Sequence, residues 1–348
     1  SEMCIRDSYI GADDKNLDLF ESQYIVPDGI SYNSYVVIDD KVAILDTIDE
    51  RKADEWEQNL SEALGERVPD YLVVHHLEPD HSALIARVME QFPSVTIVAS
   101  ARAIQMIPQF FEGIDLTGRT LTVKEGDVLD LGHHKLRFFG APMVHWPETM
   151  MTFDETDGVL FSGDGFGCFG TVDGGFLDTR INVDKYWGEM VRYYSNIVGK
   201  YGSPVQKALQ KLGGLPISAI CSTHGPVWTE NIAKVIGIYD RLSRYDADEG
   251  VVIAYGSMYG NTEQMAEAIA EELSAQGVKN IVMHNVTKSH PSYIIADIFR
   301  YKGLIIGSPT YSNQIFPEVE ALLSKILLRE VKGRYLGYFG SFTWAGAA

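Results

Sequence analysis

From residue 250 onward the sequence alternates between short β-rich apolar runs and stretches with helical periodicity. VVIAYGS (251–257), IVMHNV (281–286), GLIIGSP (303–309) and YLGYFGS (335–341) read as strands. Residues 262–275, 292–300 and 317–329 read as the helices between them. Strand–helix alternation of this kind leaves few options, because consecutive parallel strands need a crossover that packs on the sheet face. This part of the chain is therefore expected to form a doubly wound parallel sheet. No internal repeat or low-complexity tract interrupts it.

Upstream the pattern differs. Residues 33–48 read as two strands turning at Asp39-Asp40, followed by a helix over about 51–64. Strands are predicted at 71–76, 95–100, within 120–139, at 158–164 and at 219–225, with helices at 81–91 and 184–212. Many short strands with intervening helices suggest a sheet sandwich covered by helices. A helix over 230–249, closing in the polar run Asp246-Ala-Asp-Glu249, sets the expected boundary: 9–249 for the first domain and 250–348 for the second. Charge divides at the same place. Residues 250–348 hold 8 basic and 8 acidic side chains, whereas residues 1–249 hold 21 basic and 40 acidic, the whole net charge of −19. A field of that sign argues against nucleic acid and anionic membrane surfaces as partners.

Three cysteines, Cys4, Cys168 and Cys221, form no CxxC and no disulfide framework, which points to a reduced, cytoplasmic setting. No apolar run is long enough to span a bilayer. Residues 1–8 (SEMCIRDS) start no structural element and are expected to be a non-native or disordered tail, so Cys4 carries no weight.

The strongest chemical signal is His76-Leu-Glu78-Pro-Asp80-His81, directly after the strand YLVVH. A polar loop with chance histidines would account for two such residues, but not for four potential ligands in six positions behind a buried strand. His75, the neighbour in sequence, is expected to face the other side of the strand. Similar groups recur at other strand ends: His145 in PMVHWPETM, Asp164 after VLFSG and His224 in STHGP. Four imidazoles and three carboxylates suit a pair of metals. Gly165-Phe-Gly167-Cys-Phe-Gly170 fits GxGxxG, but a turn follows it where a dinucleotide site needs a helix. Its glycines are expected to let the loop pass close to the metals. His133, His134, His284 and His290 are read as surface or structural.

In the second half, Gly256-Ser257-Met258-Tyr259-Gly260-Asn261-Thr262 follows a strand and opens a helix, a place where N–H and O–H groups can surround a phosphate. It lacks the Gly-Lys-Ser/Thr of a Walker A loop. Ser308-Pro309-Thr310-Tyr311-Ser312-Asn313 and Ser341-Phe342-Thr343-Trp344-Ala345-Gly346 end the third and fourth strands. In a doubly wound sheet, ligands sit at such carboxyl ends where strand order reverses. Tyr311 or Trp344 could cover a flat ring.

The HxExDH stretch with His145, Asp164 and His224 resembles the metallo-β-lactamase superfamily, whose usual first motif is HxHxDH. Glu78 in place of the second His hardens the ligand set toward iron and is similar to the di-iron subgroup. That resemblance implies one iron on His76, Glu78 and His145, a second on Asp80, His81 and His224, and Asp164 between them. The second half resembles flavodoxins, which implies FMN in the three loops. The order of modules resembles the flavodiiron proteins (A-type flavoproteins): a metallo-β-lactamase-like αββα sandwich followed by a flavodoxin-like sheet. The resemblance implies an oxidoreductase reducing O2 to water or NO to N2O, with electrons from rubredoxin or another small redox protein passing through FMN to the irons. It also implies a head-to-tail homodimer or a dimer of dimers. An acidic donor is expected to dock near the neutral second half. A flavodoxin-like sheet has five parallel strands and four are read here, so this domain is expected to be truncated at its C-terminus, with the fourth strand left as an exposed edge. Two other readings stay open: a zinc-dependent hydrolase carrying a flavodoxin module, which the Glu at 78 argues against, and an electron carrier with an inactive first domain, which a filled ligand set argues against.

Overall fold

The computed structural model describes residues 9–173 and 175–348; the N-terminal tail expected over 1–8, with Cys4, lies outside the described residues. The chain divides into two compact units. One comprises the described residues up to Met190 together with Ser203–Gly237, and the other comprises Val191–Gly202 and Ile238–Ala348.

The first unit is built on two five-stranded sheets. One runs Tyr35–Ile38, Val42–Leu45, Tyr71–Val74, Thr96–Ser100, Thr120–Val123, antiparallel at its first pair and parallel thereafter. The other runs Val128–Asp130, Lys135–Gly140, Met150–Asp154, Val159–Gly163, Ala219–Ser222, antiparallel except for its last pair. Alternate residues of both sheets meet in one core, with Val37, Leu45, Val73 and Val98 opposing Leu136, Phe138, Phe161 and Cys221. Helix Ala53–Leu64 buries Ala53, Trp56, Leu60 and Leu64, spaced three or four residues apart, as a surface helix must. It packs on the first sheet, as does Ala101–Phe110. Gly202–Leu212 is tied to the second sheet by Lys211 Nζ, which donates to the Gly140 carbonyl at 2.6 Å.

This topology makes one functional rim. Parallel neighbours end on the same side, so Tyr71–Val74, Val159–Gly163 and Ala219–Ser222 all deliver their following loops there. The antiparallel pair Lys135–Gly140 and Met150–Asp154 closes with Gly140 opposite Met150, which returns the 141–149 loop to that rim. His75 joins the two sheets at this level. Its backbone N–H donates to Asp46 Oδ1 (2.8 Å), its Nδ1 meets Asp46 Oδ2 (2.6 Å), and its Nε2 meets Thr152 Oγ1 (2.7 Å). His75 thus faces the inter-sheet side with Val73, and the strand itself closes at Val74.

In the second unit the parallel order is Ile281–Asn285, Asp248–Tyr255, Tyr301–Tyr311, Tyr335–Ser341, with the short strand Gln314–Ile315 antiparallel on the end of the third. Strand order reverses at Asp248–Tyr255, as the sequence pattern predicts for a doubly wound sheet. Apolar layers cover both faces: Val252, Ala254 and Ile306 on one, and Ile253, Tyr255 and Ala266 on the other. The strand Tyr335–Ser341 exposes Tyr335, Leu336 and Tyr338.

Local expectations differ in several places, among them the helix predicted over 81–91, which divides into Pro79–Ser82 and Ile85–Gln91. Helix Ala101–Phe110 and strand Met150–Asp154 go beyond the predicted elements. The helix predicted over 230–249 ends at Ser243, and Asp248 already opens the next strand. The predicted helix 184–212 is interrupted after Tyr193 by a π-helical turn, Tyr194–Val198, and a 3-10 turn, Gly199–Tyr201. There Asn196 Nδ2 donates both to the Arg192 carbonyl (2.8 Å) and to that of Ser292 (3.0 Å). The side chain thereby reaches into the main-chain hydrogen bonding that a continuous α-helix would need.

The Asp46–His75 clamp predicts the cost of opening the rim. Asp46→Ala removes two acceptors and strands a buried N–H, so stability should fall by about 3 kcal/mol. Urea unfolding reads this as a lower midpoint with unchanged slope. A loss under about 1 kcal/mol would mean the clamp does not hold the rim.

Candidate metal centre and flavin loops

The seven sequence-predicted ligands reach the rim from four loops, four of them from residues 76–81, and all seven converge. His76, Glu78, His145 and Asp164 present one ligand atom each within 4.8 Å of one another, and Asp80, His81 and His224 form a second such group. Asp164 faces both. Its Oδ2 lies 3.2 Å from His145 Nε2 and 3.8 Å from His76 Nε2, while its Oδ1 lies 3.1 Å from His81 Nε2 and 3.7 Å from His224 Nε2. Glu78 Oε2 sits 3.0 Å from His145 Nε2 and 3.4 Å from His76 Nε2. Asp80 Oδ2 sits 3.1 Å from His224 Nε2 and its Oδ1 3.3 Å from His81 Nε2.

These groups are close without being hydrogen-bonded to one another throughout. His76 Nε2, His81 Nε2 and both oxygens of Asp80 are buried with no hydrogen-bond partner among the described residues. Buried polar atoms are normally paired. Lone pairs that approach within about 3–4 Å yet miss hydrogen-bond alignment point at a shared centre between them, as ligands of a common cation do. Four imidazoles and three carboxylates form a hard-to-borderline donor set that suits iron, so the residues fit the metal pair they are expected to hold.

The outer nitrogens of two of these histidines are fixed from behind. His224 Nδ1 donates to the Ser31 carbonyl (2.8 Å). His76 Nδ1 donates to Glu148 Oε1 (2.7 Å), which also accepts from the Leu77 N–H (3.0 Å). A carbonyl or carboxylate can only accept, so each Nδ1 carries the proton and each Nε2 is left to face the centre. Thr223 Oγ1 donates to Asp164 Oδ1 at 2.6 Å. Phe20 and Tyr32, both buried, pack edge-on against the His224 ring, and Trp146 packs against His76. Glu148, Ser31 and Thr223 are functional partners beyond those expected from the motifs. Glu148 carried one signal, an acid three residues after His145, which alone does not separate it from a surface acid.

Burial and charge oppose each other here. Burial alone would raise the Glu78 carboxyl, but the hydrogen bond from His145 and the nearby His76 ring hold it down at about 2. Burial would likewise lower His81, yet Asp80 and Asp164 push it up to about 10. Asp164 is held well below the usual carboxylate range despite its burial, chiefly by His81 and His145. His145 is driven well upward against burial by Asp164 and Glu78. His76 and His224 are raised as well, against burial, by Glu148 and Asp80 respectively.

The glycine-rich stretch that mimics a dinucleotide motif opens no helix; Asp164–Phe166 turns, and Gly170 forms a β-bridge with Ile30. It packs closely, since a Cβ on Gly225 would stand 2.2 Å from Cys168 Sγ. Of the other histidines, His134 pairs with Asp154 and His284 with Asp297, and His290 caps the helix Pro291–Arg300.

In the second unit, loops after three parallel strands border a cavity of about 350 Å³. Its lining draws on Ser257, Met258, Tyr259, Asn261 and Thr262, on Pro309 and Thr310, and on Ser341 through Ala345. Ser257 Oγ accepts from the Gly260 and Glu263 N–H groups, and Thr262 Oγ1 meets Ser341 Oγ at 2.9 Å. Gly260 caps the helix Asn261–Ala275 at φ +91°, a conformation that costs glycine least. Gly260, Ser308, Tyr311, Asn313 and Gly346 stand outside the lining. Ser308 Oγ accepts from the Phe316 N–H, and Tyr311 packs edge-on against Phe316. Trp344 and Tyr259 stand exposed at the cavity, 83% and 89%. Hydroxyls and N–H groups at a helix start, with aromatic rings at the mouth, fit a phosphate joined to a flat ring system.

Comparison with known proteins agrees with this division. The family described as ODP family beta lactamase matches residues 30–225, and the Flavodoxin family matches 253–348. The anaerobic nitric oxide reductase flavorubredoxin of Vibrio vulnificus is 33% identical over 335 residues, covering 95% of this chain and 67% of that protein. The protein of the same name from Aliivibrio fischeri is 31% identical with the same coverage. The chain thus spans about two thirds of the length of these curated relatives. Rubredoxin oxygen:oxidoreductase from Desulfovibrio gigas superposes with a TM-score of 0.92 at 30% identity, covering 97% of this chain and 84% of that one. The flavodiiron protein of Giardia intestinalis gives 0.92 at 26% identity, with 98% and 83% covered.

The charge pattern predicts how stability follows pH in the metal-free protein. The raised imidazoles stabilise fully below their ordinary value of 6.5, and this is lost as pH climbs through the folded values, about 10 for His81. The lowered Glu78 stabilises fully above its ordinary 4.5, and this is lost as pH falls toward about 2. Thermal unfolding in chelator should therefore peak between about pH 4.5 and 6.5 and decline toward alkaline pH. A melting temperature that rises from about pH 6.5 to 9 would contradict the pairing.

Proposed function

Because the chain belongs to the flavodiiron protein family, we propose that it is an oxidoreductase that reduces O2 to water, NO to N2O, or both, at a non-haem di-iron site supplied with electrons through FMN. The observation that carries this reading is the split of Asp164, with one carboxylate oxygen turned to each of two ligand groups. A site for one ion has no use for that arrangement, whereas a pair of ions needs a bridging carboxylate.

In this reading His76, Glu78 and His145 would hold one iron, Asp80, His81 and His224 would hold the other, and Asp164 would serve both. When bound, the irons supply adjacent positions for the substrate, and the flavin stores and passes on electrons. The chain's residues do the rest. Ser31 and Glu148 keep Nε2 of His224 and His76 turned inward. Asn33 Nδ2 donates to the carbonyls of Ser222 (2.9 Å) and Gly225 (2.8 Å), which bracket His224 and fix its loop. Phe20, Tyr32 and Trp146 place apolar surface against the ligand rings and exclude bulk water from them. In the second unit, the loops 256–262, 308–313 and 341–346 hold FMN, with the phosphate at the start of Asn261–Ala275.

Rubredoxin or another small redox protein is the electron donor in this account. Its docking place is the exposed flavin loops, whose module is electrically neutral while residues 1–249 carry the acidic excess. A head-to-tail homodimer, or a dimer of dimers, brings one subunit's flavin to the other's irons. The proposed domains are 9–249 for the metals and 250–348 for the flavin, in a cytoplasmic protein. Among the described residues, no helix is long and apolar enough to cross a membrane.

The reading is tested by reducing the flavin-loaded chain anaerobically and offering O2 and NO separately. The wild type should consume at least one of them. His76→Ala should lower that consumption on the order of 100-fold or more while FMN stays bound. Consumption that survives the substitution would defeat the proposed site.

A further inference from the structure

The two metal positions are backed by different chemistry. Behind His76 stands a carboxylate, with Glu148 Oε1 accepting the Nδ1 proton at 2.7 Å. Behind His224 stands a neutral amide, the Ser31 carbonyl at 2.8 Å. His81 Nδ1 has no hydrogen-bond partner among the described residues. Each position otherwise has one carboxylate of its own, Glu78 or Asp80, and shares Asp164. Among the acceptors behind the ligand imidazoles, Glu148 therefore adds one negative charge at one position that the Ser31 carbonyl does not add at the other.

Its surroundings argue that the charge itself is used. Glu148 is buried, and its Oε1 already serves both donors that reach it, His76 Nδ1 and the Leu77 N–H. Its Oε2 is buried with no hydrogen-bond partner among the described residues. Its backbone carbonyl is held separately by Ser100 Oγ at 2.9 Å. A neutral amide side chain would satisfy the same two donors without burying a carboxylate, which is costly unless something offsets it. The offset available here lies across the imidazole ring: positive charge at Nε2 of His76.

We propose that Glu148 is a positioning residue that makes His76 the more electron-rich imidazole, so that the iron held by His76, Glu78 and His145 is harder to reduce than its neighbour. The proposal rests on the di-iron reading above. A proton shared toward a carboxylate gives the ring more imidazolate character, which favours the ferric over the ferrous ion at that position. Glu148 would thereby set a fixed order of reduction, with the position beside Asp80 and His224 reduced first.

The test compares wild type, Glu148→Gln and Glu148→Asp, each as the full chain loaded with iron and FMN, by metal analysis and by spectroscopic redox titration of the iron centre. Wild type should show two one-electron iron couples. Glu148→Gln keeps an acceptor for His76 but loses the charge, so its lower couple should rise. The expected change is at least tenfold in the reduced-to-oxidised ratio at fixed poise, which is 59 mV for a one-electron couple. Iron affinity at that position should fall by about 10- to 100-fold in chelator competition. Glu148→Asp keeps the charge and should leave the lower couple within tenfold of wild type. Iron-loaded Glu148→Gln with unmoved couples would overturn the proposal. So would a Glu148→Asp couple raised more than tenfold, which decides the matter even if the Gln variant does not fold. Wild type that takes up no iron would overturn the di-iron reading itself, a result separate from either.

Discussion

Seven ionisable side chains share one buried rim, and the structure around it follows from the need to keep them there. Moving a single carboxylate or imidazolium out of water costs several kcal/mol even after relaxation. Here four imidazoles and two carboxylates are buried almost side by side, with the half-buried Glu78 beside them. Protons can balance this charge only in part: the pairs hold Glu78 down and His81 up, but His76 Nε2 and both Asp80 oxygens find no hydrogen-bond partner among the described residues. Two divalent or trivalent cations satisfy those atoms in one step, which is why the same geometry reads both as a stability problem and as a metal centre.

The fold solves the placement with sheet topology. Parallel strands end together, so the loops carrying His76–His81, Asp164 and His224 emerge on one side without long excursions. The one proposed ligand from an antiparallel connection, His145, is returned to the same side by the pairing of Gly140 with Met150. His75 then locks the level at which the sheets meet, through Asp46 on one side and Thr152 on the other. The ligand histidine next to it in sequence inherits that rigidity. In the second unit the same logic operates once more: three loops after parallel strands meet at the point where strand order reverses, and a cavity forms there.

Much of this was legible in the sequence, for physical reasons that differ by region. The alternation after residue 250 identified the parallel sheet because strand and helix periods are distinct over whole elements. HxExDH was legible because four ligands in six residues rarely have another use behind a buried strand. His145, Asp164 and His224 were individually ordinary and gained meaning only together. What escaped were relations fixed by tertiary register. Glu148 behind His76 and Ser31 behind His224 depend on which segments face each other, and a lone acid in a loop or a lone serine in the short strand Ile30–Tyr32 carries no trace of that. The break in the helix predicted over 184–212 arises from Asn196 bonding to Ser292, a contact between residues 96 apart. In the flavin loops, Trp344 reached the cavity and Tyr311 turned to Phe316, a choice of side-chain direction that a loop sequence does not encode.

The central claim is that one rim holds two irons with a carboxylate between them. Metal and flavin analysis of the purified chain tests it most directly. The account predicts two irons and one FMN for each chain. Two zincs and no iron would contradict it, and would assign the same ligands to hydrolytic chemistry.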